Sequence, residues 1–153
     1  MLKILFVCHG NICRSPMAEY VMKQMVKDAG LEQRFEIASA ATSREDIGNP
    51  VYPSAQRELA RHGIPCRGHA ARQVTRQDYE YFNWLVGMER INIRNMQRII
   101  GGDPQEKMRL LLSFAGSDAE IEDPWYTGRF AEVYDQIEMG CRAMFEFVNG
   151  RRL

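Results

Sequence analysis

Between Val7 and Pro16 the chain reads VCHGNICRSP, two cysteines, a histidine, a glycine, an asparagine and an arginine ahead of a Ser-Pro pair. These types at this spacing suit phosphate chemistry. A cysteine at the mouth of a helix, beside a cation, is held as thiolate, because such surroundings lower a thiol pKa from about 8.5 toward about 3.5–7.5. A thiolate set against a phosphoryl group is a nucleophile in attacking position. Arg14 offers a planar fork for two phosphate oxygens. Gly10 admits a positive φ and lets the backbone approach a ligand closely. Successive N–H groups in a tight loop can form an anion nest on the positive end of the helix dipole. Taken singly, a cysteine after a buried strand is usually a small core residue and an arginine is usually surface. The joint pattern Cys-x5-Arg-Ser is far more specific.

Metal and redox chemistry have weaker claims. No Cys-x-x-Cys pair occurs, and His9, His62 and His69 do not fall at zinc-finger spacing, so no metal is expected. Four cysteines are too few and too scattered for a secreted disulfide scaffold. Twenty basic residues balance twenty acidic ones, which gives no electrostatic case for nucleic acid or a membrane surface. The opening residues are too short an apolar run for a signal segment, and no run reaches membrane-spanning length, so a cytoplasmic location is expected.

The elements that must position the loop follow from periodicity. Leu2–Val7 is an apolar run typical of a strand buried on both faces. Ser15 and Pro16 then read as N-cap and first helical residue, with Gly30 ending the helix. Further strands are expected at Phe35–Ala40, Tyr81–Met88 and Lys107–Leu112, with a loop over Ala41–Pro53. Helices are expected at Ser54–His62, at Glu89–Ile100 and along the apolar face running from Phe130 through Ile137 and Cys141 to Val148. The 153 residues suit one domain, 1–153. Strands alternating with helices predict an α/β fold in three layers, a four-stranded parallel sheet with helices on both faces and a phosphate-binding loop after the first strand. In such sheets ligands bind beyond the carboxyl ends of the strands, where Cys8–Ser15 falls.

The stretch VCHGNICRSPMAE resembles the signature of the low-molecular-weight protein tyrosine phosphatases, and Asp123-Pro124-Trp125-Tyr126-Thr127-Gly128 resembles that family's Asp-Pro loop. The segments Leu59–Ile64, His69–Gln73 and Met88–Met96 also align, so the likeness spans nearly the whole chain. It implies Cys8 as nucleophile through a phosphocysteine, and Arg14 as phosphate ligand and transition-state support. The phosphate-binding loop would comprise His9, Gly10, Asn11, Ile12, Cys13, Arg14 and Ser15. Ser15 would hydrogen-bond the thiolate, Asn11 with His69 would hold the loop's shape, and Asp123 would act as general acid and then base. The resemblance implies no metal or other cofactor, phosphotyrosine proteins or peptides as partners, and phosphate or other oxyanions as inhibitors; a monomer is expected.

Several positions are expected to shape the pocket. Trp125 and Tyr126 would wall it, at least one of them stacking on a substrate ring, with Trp125 standing where relatives often carry tyrosine. By the same resemblance, Glu45 stands where many family members carry an aromatic, so one wall of the pocket would be charged, which would disfavour acidic phosphopeptides unless Arg44 offsets it. His9 is expected at the lip. Glu89 either fixes Arg14, as in relatives, or is an ordinary carboxylate at a helix start. Cys13 is either packed beneath the loop or, by the resemblance, a redox partner that protects Cys8 through a reversible disulfide. Rival readings are a protein arginine phosphatase, where threonine rather than Ile12 is expected, and a thiol-coupled arsenate reductase, which needs more clustered cysteines. A non-hydrolytic cysteine phosphotransfer module is the third, and it would not require Asp123.

Overall fold

The computed structural model describes residues 1–150, so the far end of the expected 1–153 domain lies outside the described residues. The near-continuous apolar run Leu2–Cys8 forms strand β1, paired in parallel with Phe35–Ala41 (β2) on one side and Trp84–Gly87 (β3) on the other. Met108–Leu110 (β4) joins the far side of β3, giving four parallel strands in the order β2-β1-β3-β4. Because side chains alternate along a strand, β1 feeds two cores. Ile4 and Phe6 pack with helices α1 (Arg14–Asp28), α2 (Pro53–Arg61) and α6 (Phe130–Gly150). Leu5 and Val7 pack with α3 (Arg76–Tyr81) and α4 (Arg90–Ile100). The three-layer α/β architecture is therefore as expected.

The strand order places a topological switch point between β1 and β3, since the chain leaves β1 toward one edge and returns to form β3 on the other side. Ligands in open α/β sheets bind at such a crevice. The loops that follow β1 and β3 meet there, and a single-turn helix, α5 (Pro124–Thr127), lies in the chain segment leading to α6.

Three local expectations need correction. Helix α1 begins at Arg14 with Cys13 as N-cap, rather than with Ser15 capping, because the Ser15 hydroxyl is engaged by Cys8 and Asn11 instead. The strand expected from Tyr81 begins only at Trp84, since residues 76–81 form α3, closed at its start by a Thr75–Asp78 capping box. The fourth strand stops at Leu110, where the chain tightens into a 3-10 turn over Leu111–Ala115.

Candidate active site

The loop from Cys8 to Arg14 wraps around one sulfur. Cys8 Sγ lies 3.0 Å from Ser15 Oγ and accepts the N–H groups of Asn11 and Ser15, each at 3.4 Å. Among the described residues, the N–H groups of Gly10, Ile12 and Cys13 find no protein acceptor. A loop with amides free at a helix start is suited to hold the oxygens of an anion.

The strained residue of this loop is Asn11, at φ 60, not Gly10. Asparagine enters the left-handed region more readily than most residues, and here its bonds fix it there. Its side-chain amide donates to Ser15 Oγ (2.8 Å) and Ser39 Oγ (2.9 Å), and its side-chain oxygen accepts the Arg72 N–H (3.2 Å). Its main-chain carbonyl accepts from His69 Nε2 at 2.7 Å, which places His69 beside Asn11. Glycine serves a different purpose at position 10. A Cβ there would stand 2.8 Å from Asp46 Oδ2, so the small residue lets the neighbouring loop close against this one.

Arg14 is only 1% exposed and reaches across the switch point. Its Nη1 donates to Glu89 Oε2 at 2.6 Å and to the Ile121 carbonyl at 2.9 Å, while Nη2 sits 3.5 Å from Asp123 Oδ2. Burial alone would lower the Arg14 pKa, but negative charge at Cys8, Asp123 and Glu89 outweighs it and holds the pKa above its ordinary value. Glu89 stands both at the N-cap of α4 and in ion-pair contact with Arg14, so the two readings of it are not alternatives in position.

Asp123 stands at the N-cap of α5, where its Oδ1 accepts the Trp125 N–H at 3.0 Å. That bond leaves Oδ2 turned toward Arg14. The turn is further braced by a bidentate Glu122–Arg129 pair at 2.7 and 2.9 Å. Trp125 packs edge-on against Tyr52, ring centroids 4.8 Å apart, and Tyr52 stacks on Phe130. Trp125 and Tyr126 remain 53% and 81% exposed at the mouth of the cavity.

One cavity of about 160 Å³ gathers nearly every residue singled out from the sequence: Cys8, His9, Gly10, Ile12, Cys13, Arg14, Glu45, Asp123, Trp125 and Tyr126 all line it. Asn11, Ser15, His69 and Glu89 support it from behind, and Arg44 does not line it. Cys13 is buried, and burial, reinforced by negative charge at Cys8 and Asp123, pushes its pKa well up. His9 lies at the lip and pairs with Glu45 at 3.0 Å.

Sequence reasoning missed Asp46, which lines the cavity, and the Ser39–Glu19 pair behind Asn11. Ser39 Oγ donates to Glu19 Oε1 at 2.5 Å, and Lys23 balances that carboxylate. A signal was present: Glu19 falls four residues after Ser15, on the same buried face of the helix.

The family model described as low molecular weight phosphotyrosine protein phosphatase matches residues 3–152. The chain belongs to this family. Its function is therefore that of a protein tyrosine phosphatase, a phosphoric monoester hydrolase. The low molecular weight protein-tyrosine-phosphatase YfkJ of Bacillus subtilis (strain 168) is 39% identical over 146 residues, covering 94% of each chain. The YfkJ crystal structure superposes with a TM-score of 0.96 at 36% identity, over 100% of this chain and 98% of that one. Among other members of the fold, a Drosophila arginine phosphatase matches with a TM-score of 0.86 at 32% identity, over 96% and 98% of the two chains. Wzb of Vibrio vulnificus, solved with benzylphosphonate, matches with a TM-score of 0.82 at 26% identity, over 94% and 96%.

Proposed function

We propose that this phosphatase acts as a single domain on phosphotyrosine proteins or peptides, and on small aryl phosphates, through a phosphocysteine on Cys8. The observation that carries the reading is the convergence of Cys8 Sγ, the Arg14 guanidinium and Asp123 Oδ2 on one small cavity. The loop amides and Arg14 hold the phosphoryl oxygens, displacing Asp123 from Arg14. Cys8 thiolate attacks phosphorus as the phosphorus–oxygen bond to the tyrosine breaks. The leaving phenolate takes a proton from Asp123. Water then attacks the phosphocysteine and gives its proton to Asp123, and the phosphorus–sulfur bond breaks to return the thiolate. Ser15 Oγ, 3.0 Å from the sulfur, stabilises that returning charge. Charge on the transferring group is met by fixed amides and a buried guanidinium, which need no reorganisation at the moment of reaction.

A product-burst experiment with p-nitrophenyl phosphate tests this directly. We expect one equivalent of nitrophenol in a fast phase with a phosphorylated protein, and neither with Cys8→Ser. Undiminished turnover by Cys8→Ser would overturn the assignment. Inorganic phosphate and other oxyanions are expected to compete, in keeping with the phosphonate held by the Vibrio relative.

The arginine phosphatase among the structural neighbours supports a second reading. Against it, the apolar Ile12 side chain lines this cavity and suits an aromatic ring. The arsenate reductase reading loses ground because Cys141 is fully buried and directed at the Ala18 carbonyl, and Cys66 does not line the cavity. Comparing rates on phosphotyrosine and phosphoarginine decides the first question. Among the described residues no helix is long and apolar enough to cross a membrane, and we take the enzyme to be cytoplasmic and monomeric.

A further inference from the structure

The floor of the cavity explains how a phosphoryl group is held but not which peptide carries it. The two lips differ from the floor in charge. One lip bears Glu45 and Asp46, and the other bears the exposed rings of Trp125 and Tyr126. The Glu45 side chain is 71% exposed, and its one ion-pair partner among the described residues is His9. Asp46 turns one carboxylate oxygen to Asn49 at 3.2 Å and the other over Gly10, and no cation pairs with it among the described residues. Arg14, the single arginine of the lining, lies at the bottom, where bound phosphate claims it.

We propose that this mouth selects phosphotyrosine flanked by arginine, and rejects acidic flanks. The inference rests on the phosphotyrosine phosphatase reading above. A tyrosine ring standing in the cavity brings its neighbouring residue out between the two lips. A guanidinium there meets the Glu45 and Asp46 carboxylates and can lie on the face of Trp125, which Tyr52 holds edge-on. A glutamate in the same place meets two like charges, and the one arginine that lines the cavity, Arg14, is held by the phosphate; Arg44 does not line it. Lysine gains the charge attraction but fits neither the fork geometry nor the ring face as well. Each contact is solvent-exposed and individually weak, so together they give about a 10-fold preference rather than an absolute one. The lips lie away from the reacting atoms, so the preference belongs in KM and leaves kcat alone.

The test uses three phosphotyrosine peptides of one sequence that differ only in the residue after phosphotyrosine: arginine, alanine or glutamate. Released phosphate is followed with the wild-type enzyme, alongside p-nitrophenyl phosphate. We expect kcat/KM to fall from arginine through alanine to glutamate, by about 10-fold overall, in KM. About 0.5 M salt should compress the spread, since exposed charges are screened within a few ångströms there. The Glu45→Gln/Asp46→Asn double variant should lose most of it, and Glu45→Arg should reverse its direction. Equal kcat/KM for the three peptides, or a spread that survives the double variant, would overturn the proposal while leaving the phosphatase reading intact. No turnover of any peptide or of p-nitrophenyl phosphate would overturn that reading itself.

Discussion

Two regions of this molecule are equally closed to water and are held by opposite means. In the phosphate loop, Asn11, Arg14 and Ser15 are buried polar groups, each tied by directional bonds to named partners. Where α6 meets the 3-10 turn, Leu111, Ile137 and Met144 are buried just as fully but make contact by shape. The loop spends stability on geometry: it keeps a non-glycine residue at positive φ and leaves amides without partners. The α6 core supplies the close packing that makes such a loop tolerable. Damage should therefore appear as lost rate in the first region and as lost stability in the second.

The largest separation between the two regions comes from the nucleophile. Cys8→Ser changes one atom beside Ser15, and we expect turnover to fall by at least about 10⁴-fold with little change in melting temperature. Removal of the acid ranks next. Asp123→Ala should slow p-nitrophenyl phosphate hydrolysis by about 10²–10⁴-fold while phosphate still binds. The loss should be larger for poor leaving groups, which need the proton more. Wild-type kcat from this variant would remove Asp123 from the reaction.

Much of this division was legible in the sequence, for physical reasons. Leu2–Val7 could be read as a buried strand and Phe130–Val148 as a helix because long periodic runs leave one reading. Cys8, Arg14 and Asp123 could be read because chemistry fixes both residue type and spacing. The misses share a cause. Helix α3 is only six residues, too short for periodicity to reveal, though Thr75-Arg76-Gln77-Asp78 carried a capping signal. Sequence points to Gly10 for the positive φ that Asn11 adopts, since glycine's permissiveness says where such a φ is cheap, not where the loop needs it. Asp46 and Ser39 are brought to the site only by folding, Asp46 over Gly10 and Ser39 between Asn11 and Glu19.

Asn11→Ala should lie between the extremes and affect both readouts. It leaves the Arg72 N–H without its acceptor and takes one bond each from Ser15 Oγ and Ser39 Oγ, which keep Cys8 and Glu19, a loss of about 1–3 kcal/mol for a stranded polar group. It also frees the loop from its left-handed turn, and a misplacement of this order lowers kcat by about 10²-fold. Stopped-flow turnover and thermal unfolding on the same preparation would check the pairing. A drop in stability with kcat intact would show that the network supports the fold and not the position of Cys8.

The smallest effect, and the sharpest contrast, belongs to Gly140→Ala in α6. Helix propensity alone favours alanine over glycine by about 1 kcal/mol. Packing opposes it, because a Cβ at this position would stand 2.6 Å from Leu111 Cγ, and Leu111 is fully buried with nowhere to retreat. Overpacking of this kind costs about 1–3 kcal/mol, so the net should be a destabilisation of about 1 kcal/mol, with kcat/KM unchanged. The cycle with Leu111→Ala tests the cause. Alone, that truncation should cost about 2–5 kcal/mol, but beside the methyl that Gly140→Ala adds it opens a smaller hole. The double variant should therefore be more stable than the sum of the two single effects, a coupling that a purely helical origin would not produce. Additive losses, or a stabilised Gly140→Ala, would place the constraint elsewhere than in the contact between α6 and the turn.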